Sequence, residues 1–287
     1  MSVRPMALAD RWYSGNPQEL RASIAAYLAQ AASEAQLDAT PVAIVVPHAG
    51  HVWSGVTAAA GYRVAANRGY KRAFVLCPNH RVYVQGIVAD VSSAFDTPFG
   101  PLEVDLKIIE AWAKEKYIQF SSRAHQAEHA IEIQLPFVSE ILGHVQIVPL
   151  IIGEISDAEA RAVGMVLREA MKAEDLLIIS TDLLHYGRDF GFVPFAGTLK
   201  NIHDYDARTI EEILKLDGER FSDFALKNPH AACGLGPLRI LSYAFPSSKF
   251  EAHQLAYTCS AQQTGDCNSS VSYVSLALTA KVDAALS

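Results

Sequence analysis

The sequence predicts an α/β protein: a three-layer α/β/α domain around a mainly parallel, or mixed, central sheet. Two observations carry the prediction. VAIVV (42–46), AFVLC (73–77) and LLIIS (176–180) are apolar runs without polar alternation, as expected of strands buried on both faces of a parallel sheet. Stretches of helical composition separate them, the order of an α/β fold. A third observation concerns function. Each run is followed at once by a polar cluster: Pro47-His48-Ala49-Gly50, Pro78-Asn79-His80, and Thr181-Asp182-Leu183-Leu184-His185. In open α/β sheets the ligand crevice lies outside the carboxyl ends of the strands. His48, His80, Asp182 and His185 are therefore expected at one edge.

The elements follow in order. Residues 17–34 are rich in helix formers and begin with Pro followed by acidic residues, a helix start. Strand 42–46 leads to a helix near 54–68, strand 73–77 and a further strand within 84–93. DTPFGPLEVD (96–105) carries two prolines and a glycine and reads as a loop or short hairpin. Helices are expected at 105–117 and 125–135, the second closed by Pro136. Next come strand 145–151, helix 157–172, strand 176–180, and helices at 203–215 and about 236–245. FALKNPHAACG reads as a turn before the last of these. LAYTCS and SSVSYVSLALT read as two closing strands. No internal repeat or linker divides the chain, so residues 1–287 are expected to form one domain.

Composition narrows the function. The 287 residues are 50% hydrophobic and 19% charged, with a net charge of −7. That is a well-cored globular protein without the electrostatic footprint of a nucleic-acid binder. No apolar stretch reaches the roughly 18–20 residues that span a bilayer, and the N-terminus lacks the apolar core of a signal peptide. A cytoplasmic protein with reduced cysteines is expected. None of Cys77, Cys233, Cys259 and Cys267 forms a CxxC pair. Cys77, inside a strand, reads as a small buried hydrophobe. Cys259 and Cys267 flank a polar segment where a loop pair would fit.

Two P-x-H or P-H clusters on separate strands favour function over a mere strand cap. Gly50 permits close approach of a ligand. Asp182 and His185, at i and i+3, share one face if a helical turn begins there, and His185 suits an acid/base role near neutral pH. Asp182 can also simply cap that turn. Cys233 precedes a helix start, where a lowered thiol pKa makes a better ligand or nucleophile; a buried core cysteine is the bland reading. His125 and His129 are i, i+4, but Gln126 stands where a zinc protease motif needs Glu. His125 is expected to be exposed, with His129 and Glu132 edging the crevice. Trp53 and Asn79 are expected to line it.

PHAGHVWSG, CPNHRVYVQG, DTPFGPLEVD, AEHAIEIQLPF, STDLLHYG, ACGLGP and SSVSYVSLALT, with RWYSGNPQEL near the N-terminus, resemble the Memo family in order and spacing over essentially the whole chain. That family is similar in fold to the LigB-type extradiol dioxygenases, which implies a metal pocket at one sheet edge. By the resemblance His48 and His80 match two histidine ligands and His185 the acid/base. Cys233 stands where the dioxygenases have a carboxylate ligand. A thiolate is softer and suits Cu or Zn as well as Fe(II), which departs from catechol cleavage. The resemblance implies a metal-dependent redox protein, with a small-molecule or peptide ligand and with AMMECR-type and radical-SAM proteins as partners. Two other readings stand beside it. One is a non-catalytic binding module for a peptide or anionic ligand using the same pocket. The other is a hydrolase with Cys233 as nucleophile, His185 and Asp182.

Overall fold

A computed structural model describes residues 2–31, 37–115 and 117–282. Four strands form its parallel centre, in the spatial order Pro41–Val46, Asp175–Ser180, Arg72–Pro78, Gln146–Ile152. Ile44, Val45, Val46, Leu177, Ile178 and Ile179 have no solvent exposure, which is why these segments carry no polar alternation. Full burial of each such side chain is worth about 1.5–3 kcal/mol.

Antiparallel strands extend the sheet at both sides, so it is mixed. Ile87–Ala89 runs antiparallel to Gln146–Ile152 and parallel to Ile118–Phe120. On the other side Ser269–Ala280 pairs antiparallel with Pro41–Val46, with Phe250–Cys259 and, near its start, with His185–Gly187. Among the described residues this makes nine strands. A small separate sheet joins Val3–Arg4, Ala94–Phe95 and Leu102–Glu103, and its antiparallel pair is the hairpin expected across DTPFGPLEVD.

Helices cover the sheet. His51–Ala65 packs on Pro41–Val46 and Ser269–Ala280, with Pro17–Gln30 outside it. Leu235–Ala244 packs on Arg72–Pro78 and Asp175–Ser180, with Asp157–Ala170 and Gly218–Lys227 against it. Local chemistry sets the helix starts. Asn16 accepts hydrogen bonds from the Gln18 and Glu19 amides with Pro17 at the first helical position, and Ser156 with Glu159 forms a capping box. Among the described residues no helix is long and apolar enough to cross a membrane.

Several expectations are corrected. The helix expected at 125–135 is broken: Ser122–Ala127 is helical, Glu128 is extended with ψ 134°, and a second helical run follows, 3-10 over Glu132–Gln134, α over Leu135–Phe137 and π over Val138–Leu142. The Glu128 side chain turns back to bind the His129 and Ala130 amides, which a continuing helix would instead have paired with the His125 and Gln126 carbonyls. His125 is buried, not exposed, and its Nε2 bonds the Val88 carbonyl at 3.0 Å. Gly218–Lys227, a helix capped by Asp217, was not expected; it takes up the first four residues of the segment read as a turn. Residues 32–34 of the first expected helix and residue 116 of another lie outside the described residues. All four cysteines are free, with Cys77 buried as expected.

His51 and His125 each give one ring nitrogen to a backbone carbonyl and bury the other without a partner. Burial pulls both imidazoles down from the ordinary value to about 4. The unfolded chain takes up these protons below pH 6.5, whereas the folded chain resists until about pH 4. Stability is therefore complete above pH 6.5 and is lost as pH falls toward 4, by about 1.4 kcal/mol per pH unit for each group. Urea midpoints of metal-free protein should drop between pH 7.5 and 5; equal midpoints would contradict the account.

Candidate metal centre

Strand register brings the site together. Val46 is paired with Ser180, and Ile179 with both Val45 and Leu76, so the three strands end at nearly the same level. His48 and Asp182 each lie two residues beyond their aligned strand ends. His80 follows Arg72–Pro78 in the same way, after Asn79.

Three imidazoles meet there: His48, His80 and His129 each offer a donor atom within 4.8 Å of the others. Their ring centroids lie 4.5–5.3 Å apart. His129, expected only at the rim, is thus one of the three donors.

Two of the rings, His48 and His80, are oriented by hydrogen bonds behind them. The Ser180 hydroxyl donates to the Ala130 carbonyl at 2.6 Å and accepts from Gln134 Nε2 at 2.9 Å, so the contact from His48 Nδ1 at 3.1 Å requires Nδ1 to carry the hydrogen. His48 Nε2 then presents a lone pair to the pocket. Gln134 is held in turn by Tyr62 and the Pro47 carbonyl. Glu128 does the same for His80 and stands beside His129, whose buried Nδ1 makes no directed hydrogen bond. Its Oε1 accepts from His80 Nδ1 at 2.9 Å and lies 3.1 Å from His129 Nδ1, and its Oε2 accepts the His80 amide at 2.7 Å. With the His129 and Ala130 amides added, these partners hold the buried carboxyl far below the ordinary range despite desolvation. A carboxylate fixing the Nδ1–H form of an imidazole is the usual support of a histidine metal ligand. His48 itself is kept neutral, pulled down first by burial and then by the neighbouring His80 and His129. The donor set therefore suits a metal ion: three imidazoles with donor atoms within 4.8 Å of one another, His48 offering Nε2.

Cys233 and Asp182 adjoin this cluster on the His48 side. Cys233 Sγ is 3.2 Å from His48 Nε2 and accepts the Asp182 amide at 3.2 Å. Asp182 Oδ1 accepts the His48 amide at 2.8 Å, and its Oδ2 lies 4.0 Å from His48 Nε2. Although Cys233 precedes a helix start, its thiol pKa is raised, because burial and the Asp182 charge outweigh the bonds that favour thiolate. Burial likewise pushes the Asp182 carboxyl up.

His185 is not on a helical turn with Asp182. The Leu183 amide donates to the Ser272 carbonyl and the Ser272 amide to Leu184, which draws the segment into extended pairing with the C-terminal strand. Gly187 ends that strand at φ +131°, where a Cβ would sit 2.5 Å from the Asn268 carbonyl oxygen. His185 still lines the pocket; its Nδ1 bonds the Leu183 carbonyl at 3.0 Å, leaving Nε2 free.

The pocket holds about 640 Å³, with Trp12, Trp53 and Phe190 as apolar walls and Arg11 as a cation. Trp12 packs on His129 with centroids 4.7 Å apart. Two expected lining residues lie elsewhere. Asn79 borders a separate cavity of about 230 Å³, which Cys233 also lines. Glu132 is fully buried, paired with Arg4 at 2.6 Å and accepting from the Ala7 and Leu8 amides and the Tyr13 hydroxyl. It clamps the N-terminal segment, and with it Trp12, over the pocket.

A family profile described as "Memo-like protein" matches residues 4–277. The chain belongs to the Memo-like family. It is 30% identical to the "Protein memo-1 homolog" of Caenorhabditis elegans, over 95% of this chain and 81% of that one. It is 31% identical to a "MEMO1 family protein" of Thermococcus onnurineus, over 96% and 98%. Among solved structures, an uncharacterized protein of Escherichia coli K12 has a similar fold, with a TM-score of 0.55 at 13% identity, covering 83% of this chain and 98% of that one.

Sequence reasoning had placed His48, His80, Asp182 and His185 of this Memo-like chain at one edge, but not the groups that orient them. Glu128 was visible only as the residue before His129, and Ser180 only as the last residue of an apolar strand. Glu128→Gln keeps the shape but turns one accepting oxygen into a donor against backbone N–H groups. It should weaken metal binding by about 10–100-fold, measured by calorimetry against wild type; unchanged affinity would show that Glu128 only supports the fold.

Proposed function

We propose that this Memo-like protein is a metal-dependent redox protein, with Fe(II) or Cu as its metal and Zn as a further option. The observation that carries the reading is the convergence of three imidazoles, two of them held by hydrogen bonds, on a pocket large enough for a small molecule. His48 and His80 would be constant ligands, completed by His129 or by Cys233. A bound iron or copper ion would supply electron transfer to or from a substrate. In this proposal His185 takes a proton from, or returns it to, the substrate through Nε2, while its Nδ1–H stays on the Leu183 carbonyl. Asp182 holds the His48 main chain and supports the charge balance beside it. Trp12, Trp53 and Phe190 orient a planar ligand and limit water.

Two observations bear on the other readings. The bonds of Cys233 run to His48, Thr181 and Asp182 and not to His185, and its raised thiol makes a poor nucleophile, so the hydrolase loses support. A binding module without chemistry remains the second reading, favoured by the cation and indoles at the pocket mouth, which suit a peptide or anionic aromatic ligand.

Metal analysis of tag-free protein purified without oxygen should give close to one ion per chain, lost in His48→Ala and His80→Ala. His129→Ala should weaken all of these metals if it is the third ligand. Cys233→Ser should instead weaken copper selectively if the thiol is. His185→Ala should keep the metal yet lower turnover by about 10²–10⁴-fold, followed as oxygen uptake with catechols, thiols or ascorbate. No uptake by any form, with ligand binding that survives chelation, would leave the binding module standing.

A further inference from the structure

Asp206, on the helix Leu199–Leu214, has no solvent exposure. Its Oδ2 accepts from the Tyr257 hydroxyl at 2.6 Å, and its Oδ1 accepts the Leu184 amide at 3.3 Å. Burial pushes the carboxyl up to about 6, so it is still ionised at neutral pH. A neutral amide would bury here at lower cost, so the charge itself calls for a use.

Leu184 is where that charge approaches the pocket. The Leu183 amide donates to the Ser272 carbonyl, while the Ser272 amide donates to the Leu184 carbonyl. Two residues thus oppose one, as in a β-bulge, a device that re-aims side chains beside functional sites. The Leu184 amide is released from the ladder and meets Asp206 instead. The same peptide unit carries the Leu183 carbonyl, which accepts from His185 Nδ1 at 3.0 Å. A peptide is planar and conjugated, so a negative charge on its N–H side polarises it and strengthens its carbonyl as an acceptor. Leu184 is fully buried in a small cluster with Tyr186, Ile202 and Cys259, where water screens the charge little.

We propose that Asp206 is a positioning residue for His185: its charge, relayed through the Leu183–Leu184 peptide, holds the hydrogen on Nδ1 and leaves Nε2 as the proton-accepting atom in the pocket. This rests on the acid/base reading of His185, in which Nε2 takes a proton from substrate while Nδ1 keeps its own. The imidazolium so formed is stabilised by the carboxylate across the peptide, as a directly bonded acid stabilises the histidine of a hydrolytic triad.

The readout is the His185 tautomer, taken from ¹⁵N shifts of the metal-free, ¹⁵N-histidine-labelled full chain at slightly alkaline pH. Wild type should show Nδ1–H; Nε2–H in wild type would overturn the relay with no variant needed. Asp206→Asn keeps the shape and an oxygen for the Leu184 amide but removes the charge, and should give a mixture of both tautomers. A residue that only anchors the helix would leave the Asn variant like wild type, and that result would overturn the relay. Tyr257→Phe removes a neutral donor and keeps the charge, so Nδ1–H should persist. Its loss in Tyr257→Phe as well would reduce Asp206 to a packing element and overturn the relay equally. In oxygen uptake by metal-loaded protein, Asp206→Asn should lower kcat about three- to tenfold, the difference between a charged and a neutral hydrogen bond, with KM and metal content unchanged. No uptake by any form would retire the redox reading, while a tautomer lost only in Asp206→Asn would still uphold the relay.

Discussion

The pocket depends on one buried carboxylate. Glu128 is 2% exposed, yet among the described residues its carboxylate meets no lysine or arginine side chain; it accepts from the His80 amide and ring and from the His129 and Ala130 amides, with the His129 ring edge beside it. Such a charge is tolerable in a protein interior only when its lone pairs are fully used. Using them requires the chain to leave helical geometry at Glu128 and to bring the loop after Arg72–Pro78 against it. The break in the helix and the approach of two imidazoles are therefore one event. The Arg4–Glu132 pair acts on the same segment from the other side: Arg4 also donates to the His125 and Glu128 carbonyls, so the turn bearing His129 is held between the N-terminus and the sheet.

This division of labour explains what could be read from the sequence. Strand ends are set by burial, and burial leaves a local trace: VAIVV, AFVLC and LLIIS announce both their strands and the residues that follow them. His48, His80 and Asp182 were legible for that reason. His129 was legible at the edge of the crevice but not as a donor, because its place depends on a carboxylate that competes with helix formation, and the helical spacing of HQAEHAIE masks that competition. His125 shows the same limit. Its i, i+4 relation to His129 suggested exposure on a helix face, while the structure buries it beneath the Val88 carbonyl.

Asp182 and His185 were legible as neighbours but not in their geometry. Three residues apart, they read as one helical face, yet pairing with Ser272 holds the segment extended. A nonlocal hydrogen-bond partner from the far end of the chain decides between the two, and nothing within STDLLHYG reveals it. Glu132 was misplaced for a related reason. An acid beside a probable ligand looks functional until its partner, 128 residues away, is known.

The two faces of the centre differ in their proton balance. His48, His80 and His185 are each held with hydrogen on Nδ1, so the lone pairs on Nε2 exist before any ion arrives. Burial and the neighbouring imidazoles keep His48 free of a second proton. Cys233 is the opposite case, since burial and the adjoining Asp182 charge hold its proton, and an ion must release it before sulfur can bind. An ion's charge would stabilise the thiolate and offset part of that cost, most effectively for a soft metal. The imidazoles thus face the main pocket, while the sulfur lies behind His48 on the border of a second, smaller cavity. His48 adjoins both the pocket and the sulfur, and the hydroxyl of Ser180, at the end of a buried strand, fixes its ring.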